Sequence, residues 1–120
     1  MDCIFCKIEK GDIPSYKLYE DDKFFIILDI NPEHTGHCLL IPKNHYKDLY
    51  DINDDVFSSI KTPLNYICSK LTDKLKCDGI RIVQNNGICQ EVKHFHIHII
   101  PRYNKETKLS LEEVYNILKK

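Results

Sequence analysis

The stretch whose reading decides the fold is residues 94–100, His94-Phe95-His96-Ile97-His98-Ile99-Ile100, or HFHIHII. Three of the chain's six histidines fall here, at every second position. On a strand, alternate side chains share one face, and each such step is about 6.5 Å. A strand over residues 95–100 therefore places His94, His96 and His98 on one face. Phe95, Ile97 and Ile99 go to the other face, which belongs in the core. The imidazole face then has three readings: a wet polar surface, a metal site, or a catalytic row. One ion shared by all three rings requires a bent strand, because zinc–nitrogen bonds are only about 2.0 Å. A neutral imidazole is a competent nucleophile near pH 7, and its neighbours can bind the anion under attack or protonate a leaving group.

The flanking segments supply the partners of that strand. Residues 79–84 read as another strand, left through the turn Asn85-Asn86-Gly87. Between about 53 and 76, Val56, Phe57, Ile60, Leu64, Ile67, Leu71 and Leu75 recur at spacings of three and four, which predicts one long helix. Asn53 or Asp54 can cap its start, and Pro63 should kink or divide it. Residues 37–41 form a strand ending at Pro42, and residues 16–20 and 23–28 form two more around the acidic turn Asp21-Asp22. Cys3 to Glu9 reads as a short helical turn stopped by Gly11 and Pro14. Ser110-Leu111-Glu112-Glu113 has the capping-box pattern and opens a C-terminal helix over about 110–119. The expectation is one α+β domain over residues 1–120: a five-stranded, mainly antiparallel sheet, one long helix able to cover a face of it, and a short C-terminal helix.

Bulk composition narrows the function. With 17 basic and 18 acidic residues and a formal net charge of -1, the global field offers nothing to nucleic acid or to a membrane surface. An anionic substrate has to be recognised by a local site. The start MDCIFCKIEKGDIP lacks the pattern of a secretory leader, and the run Phe24-Phe25-Ile26-Ile27-Leu28 is far too short to span a bilayer. A cytoplasmic location is expected. The six irregularly spaced cysteines then read as thiols, with Cys38, Cys68, Cys77 and Cys89 incidental or buried.

HFHIHII matches the histidine triad signature His-φ-His-φ-His-φ-φ, with φ apolar, at all seven positions. The segment IFCKIEKGDIPSYKLYEDDKFFIILDINPEHTGHCLLIPKNH resembles the amino-terminal half of the Hint branch of that superfamily. NNG and QEVKHFHIHIIPR resemble its carboxy-terminal half, so the likeness covers about residues 3–103. The resemblance implies the histidine-triad fold and a nucleotide-binding homodimer whose substrate is a purine nucleotide. Such enzymes cleave nucleoside 5'-phosphoramidates or related phosphoanhydrides at the α-phosphorus, through a nucleotidyl-histidine that water then hydrolyses. By position His96 is the nucleophile, and a backbone carbonyl, that of His94, orients its ring. His98 and His37 surround the phosphate, and no catalytic metal is required. Gln90 falls in the phosphate loop and Asp29 where the ribose hydroxyls bind, flanked by Leu28 and Ile30. Phe5, Ile8, Ile13 and Ile27 fall where the purine slot is lined, and each is equally plausible as core. Asn85 matches a phosphate-side asparagine, although Asn85 and Asn86 can also be turn residues in the left-handed region. His34 matches nothing in the family and is expected to be exposed.

Cys3-Ile4-Phe5-Cys6 is a lone Cys-x-x-Cys pair, open to a zinc, a redox or an incidental reading. Some bacterial members of the family carry the same pair, and the likeness implies a structural zinc held by Cys3, Cys6, His45 and His94. Two departures stand out. Gly87-Ile88-Cys89-Gln90 is two residues shorter than the usual phosphate loop, and Glu91 stands where other members have a small hydroxyl residue near the leaving group. A carboxylate there favours amine over anionic leaving groups. Hydrolysis of dinucleoside polyphosphates, and a nucleotide-binding scaffold with weak activity, are the alternatives.

Overall fold

Each strand of the sheet pairs antiparallel with its neighbours, in the order β1-β2-β3-β5-β4. The elements run α1 (Ile4–Glu9), β1 (Lys17–Glu20), β2 (Phe24–Leu28), β3 (Cys38–Pro42), α2 (Asp54–Ser58), α3 (Lys61–Leu75), β4 (Gly79–Gln84), a 3-10 turn (Gly87–Cys89), β5 (Ile97–Arg102) and α4 (Leu111–Leu118). These come from a computed structural model that describes residues 3–120, so the first two residues of the expected domain lie outside the described residues.

The unbroken apolar run of β2 follows from burial on both faces. Phe24, Ile26 and Leu28 join Ile67 and Leu71 of α3 in the larger core, with Phe95, Ile97 and Ile99 beside them. Phe25 and Ile27 turn to a smaller core made with Phe5 and Ile8 of α1 and with Leu39 and Ile41 of β3. The histidines of the triad stretch look toward this second layer. Leu71 is fully buried, and cutting it back to alanine costs about 2–5 kcal/mol.

Two expectations are corrected. The single long helix is two helices, divided at Ser59-Ile60 rather than at Pro63. Asn53 caps the first, its Oδ1 accepting from the amides of Asp55 and Val56 at 2.8 and 3.2 Å. Pro63 lies in the first turn of α3, where backbone amides have no intrahelical acceptor, so its missing N–H costs nothing. The last strand begins at Ile97, later than expected, because the Phe95 amide donates to the Tyr46 carbonyl at 2.6 Å instead of to the ladder. His94 and His96 thus precede the strand, while the alternation of faces persists through them.

The loop between β2 and β3 is pressed onto α3. Gly36 has φ +90°, and a Cβ there would stand 2.7 Å from Leu75 Cδ1. α4 opens with the expected reciprocal box between Ser110 and Glu113 and sends Val114 and Leu118 into the larger core. No described helix is long and apolar enough to cross a membrane.

Candidate active site

Hydrogen bonds to the backbone assign the proton on each ring of the row. His94 Nε2 lies 2.8 Å from the Pro42 carbonyl and His96 Nδ1 2.7 Å from the His94 carbonyl. A carbonyl only accepts, so both nitrogens carry protons. That leaves the lone pair of His94 on Nδ1 and that of His96 on Nε2. For His37 the logic inverts. The Glu33 amide donates to His37 Nδ1 at 3.1 Å, so its proton sits on Nε2 and is donated to His98 Nδ1 at 2.9 Å. His98 in turn carries its proton on Nε2. Burial, the largest influence on each, holds His37, His96 and His98 below the usual histidine range, which keeps these rings neutral near pH 7. Asp29 works in the opposite direction on all three, and its Oδ2 lies 3.5 Å from His37 Nε2.

His96 and His98 open onto a cavity of about 390 Å³. One end is apolar, walled by Phe5 and Ile8 of α1, Ile13, and Ile27 and Leu39 of the sheet. The Phe5 ring stands edge-on to His96 with centroids 5.0 Å apart. Leu28, Asp29 and Ile30 line the cavity, as do Asn85, Glu91 and Val92 from the far end of the sheet. Its ionisable lining includes three carboxylates, Asp29, Glu33 and Glu91, against the one guanidinium of Arg81. The charges of Glu91 and Asp29 both reach His96 and His98. Such a site is built to hold an apolar ring at one end and a reacting centre beneath two neutral imidazoles.

Behind the row lies a second cluster. The donor atoms of Cys3, Cys6, His45 and His94 all fall within 4.8 Å of one another. Cys3 Sγ is 3.3 Å and Cys6 Sγ 3.6 Å from His94 Nδ1, and Cys6 Sγ is 3.4 Å from His45 Nδ1. Tetrahedral zinc with ordinary bond lengths separates sulfur from nitrogen by about 3.6 Å. The His94 tautomer turns its lone pair to the sulfurs, and burial lowers that ring to about 4, so it stays unprotonated as a ligand must. Burial pushes the Cys6 thiol up, a cost that a bound cation removes. These four residues fit a divalent metal. Asp29, His37 and His98 have similar spacing. There, however, His37 Nε2 already carries a proton shared with His98.

Most of the residues singled out from the sequence converge on these two clusters, but His37, expected around the phosphate, is buried against His98 and does not line the cavity. Gln90 is buried and engaged by the chain itself: its Nε2 donates to the Lys47 carbonyl at 2.7 Å and its Oε1 accepts from the Gly87 amide at 3.2 Å. It staples the shortened loop rather than facing the cavity, where its neighbour Glu91 stands. The ambiguity of Asn85 and Asn86 is resolved. Asn86 is tied to Gln84 and to the Leu49 amide, Asn85 faces the cavity, and the left-handed residue of the turn is Gly87 at φ 67°. His34 is only partly exposed, since its Nδ1 lies 2.6 Å from Glu106 Oε1. Sequence reasoning had no signal for Arg81, Glu33 or Glu106, which come to the site or its margin only through the fold.

The HIT domain family model matches residues 10–105. The chain is 42% identical to an uncharacterized HIT-like protein of Methanocaldococcus jannaschii, over 96% of this chain and 91% of that one. It is 43% identical to the adenosine 5'-monophosphoramidase of Candida albicans, over 91% of this chain and 76% of that one. A Zn-bound histidine triad family protein from Mycobacterium smegmatis superposes with a TM-score of 0.90 at 35% identity, covering 99% of this chain and 91% of that one.

Proposed function

The chain belongs to the histidine triad family, and from that premise we propose that it hydrolyses nucleoside 5'-phosphoramidates, or related phosphoanhydrides, at the α-phosphorus through a nucleotidyl-histidine. The observation that carries this reading is the His96 ring. Its Nδ1–H is held by the His94 carbonyl at 2.7 Å, so a neutral imidazole presents the Nε2 lone pair in a cavity of nucleotide size.

The purine enters the apolar end between Phe5, Ile8 and Ile27, and the Asp29 carboxylate accepts from the ribose hydroxyls. His96 Nε2 attacks phosphorus, the P–N bond to the leaving amine breaks, and the amine takes a proton from solvent as it departs, leaving a nucleotidyl-imidazolium on His96. His98 Nε2–H, backed by the His37 Nε2–H, donates to a phosphoryl oxygen as charge builds there, and Asn85 adds a further donor. Water then breaks the bond between phosphorus and His96, giving the nucleoside monophosphate and the free ring. The excess of carboxylates in the cavity, Glu91 above all, supports amine over polyphosphate leaving groups.

Cys3, Cys6, His45 and His94 hold a structural zinc in this proposal. Supporting it are the donor geometry and the Zn-bound solved relative. Bound there, the ion cross-links α1 to the segment that presents His96. A homodimer is also proposed: β4 is an edge strand that carries the exposed Ile82, a surface suited to a second copy. A cytoplasmic setting belongs to the same proposal, and six cysteines without a disulfide suit a reducing compartment.

Incubation with adenosine 5'-phosphoramidate tests the reading. AMP release is expected from the wild type, together with a protein adduct heavier by one adenylyl group when the reaction is quenched in alkaline denaturant, because a phosphorus–imidazole bond is lost in acid. The enzyme reading fails if the wild type releases no more AMP than His96→Ala.

A further inference from the structure

We propose that Glu106 is a positioning residue for the His37–His98 pair, its carboxylate holding the loop of residues 33–37 in the geometry that keeps the proton on His37 Nε2. Glu106 lies beyond β5, 71 and 72 residues along the chain from Thr35 and His34, in a segment without regular structure. Its Oε1 accepts from His34 Nδ1–H at 2.6 Å and its Oε2 from the Thr35 amide at 2.9 Å. Two further bonds tie the same loop to the same segment. The Tyr103 hydroxyl donates to the Thr35 carbonyl at 2.6 Å, and the Thr35 hydroxyl donates to the Thr107 carbonyl at 2.9 Å. Thr35 is buried by this clamp.

The clamped residues lie between the two partners of one functional hydrogen bond. The His37 amide closes a turn on the His34 carbonyl at 3.1 Å, with Gly36 in the left-handed region. That turn brings the Glu33 amide back to His37 Nδ1 at 3.1 Å. If the amide withdraws, His37 can carry its proton on either nitrogen. With the proton on Nδ1, His37 Nε2 no longer donates to His98 Nδ1, and the His98 proton shifts toward Nδ1 to fill the gap. His98 then lacks the Nε2–H that faces a phosphoryl oxygen. Glu106 touches neither substrate nor reacting atoms; it acts through Thr35, His34 and Glu33. The kinetic part of this inference rests on the proposed histidine-nucleophile reaction, whereas the proton assignment does not.

The test pairs turnover with nitrogen NMR of the histidine rings in the full-length protein. For Glu106→Ala, kcat on adenosine 5'-phosphoramidate is expected to fall about tenfold while KM stays within about twofold, because the apolar slot is untouched. Long-range 1H–15N spectra should show His37 losing its Nε2–H pattern. Glu106→Gln keeps an acceptor for the Thr35 amide and should restore most of both. If Glu106→Ala does not fold, Tyr103→Phe, which loosens the same clamp, replaces it with the same expected readouts. A wild-type kcat, or a lowered kcat with the His37 nitrogen pattern unchanged, overturns the inference. If the wild type itself turns nothing over, the proposed reaction fails and the nitrogen spectra alone decide this point.

Discussion

His94 and His96 are joined through one backbone atom: the His94 carbonyl accepts the His96 Nδ1–H at 2.7 Å, while the His94 ring turns away to Cys3 and Cys6. Whatever fixes the His94 ring therefore also fixes the acceptor that orients the His96 ring. The Cys/His cluster and the cavity are served by two faces of one short segment.

Metal removal should show this coupling. Purified protein is expected to contain about one zinc per chain by elemental analysis. Cys6→Ser, or chelation, should empty the site and lower the melting temperature by about 5–10 °C. The kcat should fall with it. Full thermal stability in a metal-free preparation would remove zinc from the fold.

Acid should weaken the fold through His37. Its folded-state value lies below the usual 6.5 because of burial. The stability it contributes is thus complete above about 6.5 and lost as pH falls from there through the folded value, since only the unfolded chain takes up the proton. A protonated Nδ1 would also point at the Glu33 amide donor. Urea unfolding between pH 7.5 and 5 should show stability falling with acid, and less steeply in His37→Gln. Identical slopes would count against this assignment.

Gly36 should not tolerate a side chain. Its φ of +90° is unfavourable for alanine, and the added Cβ would collide with Leu75 and approach Leu71 and Pro101 at 3.2 Å. Gly36→Ala is expected to lose about 2–4 kcal/mol in denaturant unfolding. It should also lower kcat, because the next residue is His37. A loss under about 1 kcal/mol would mean that α3 yields easily.

Lys76 offers the reverse experiment. It ends α3 at φ 57° and ψ 39°, a left-handed position that glycine usually fills. Lys76→Gly should raise stability by about 0.5–1 kcal/mol with an unchanged denaturant slope.

Glu91, which lines the cavity, is the proposed determinant of the leaving group. Glu91→Ser should raise turnover of a polyphosphate-leaving substrate relative to an amine-leaving one by about five- to tenfold, as one like-charge contact disappears. An unchanged ratio would sink this role.

Local pattern carried most of the architecture. The alternation in residues 94–100 assigned Phe95, Ile97 and Ile99 to the core and the imidazoles to the other face, and the structure keeps both assignments. The Ser110 capping box and the strand over residues 79–84 were equally legible, because caps and two-residue periods are properties of neighbours in the chain. The helix break was not. Pro63 is the visible breaker, yet the division falls at Ser59-Ile60, and the first turn of α3 accommodates the proline. The family likeness named His96, Asp29 and the four Cys/His residues, whereas no local rule could show that Gln90 would be taken by the Lys47 carbonyl.

Local pattern thus gave the residue types on each face, most of the turns, and the side chains capable of chemistry. The partners that place a proton on each histidine came only with folding. A ring's role depends on which of its nitrogens holds the proton, and that follows from acceptors and donors far away in the chain: the Pro42 carbonyl for His94, the Glu33 amide for His37, and His37 for His98. Three identical side chains differ in the nitrogen that keeps its lone pair because folding brings each a different partner.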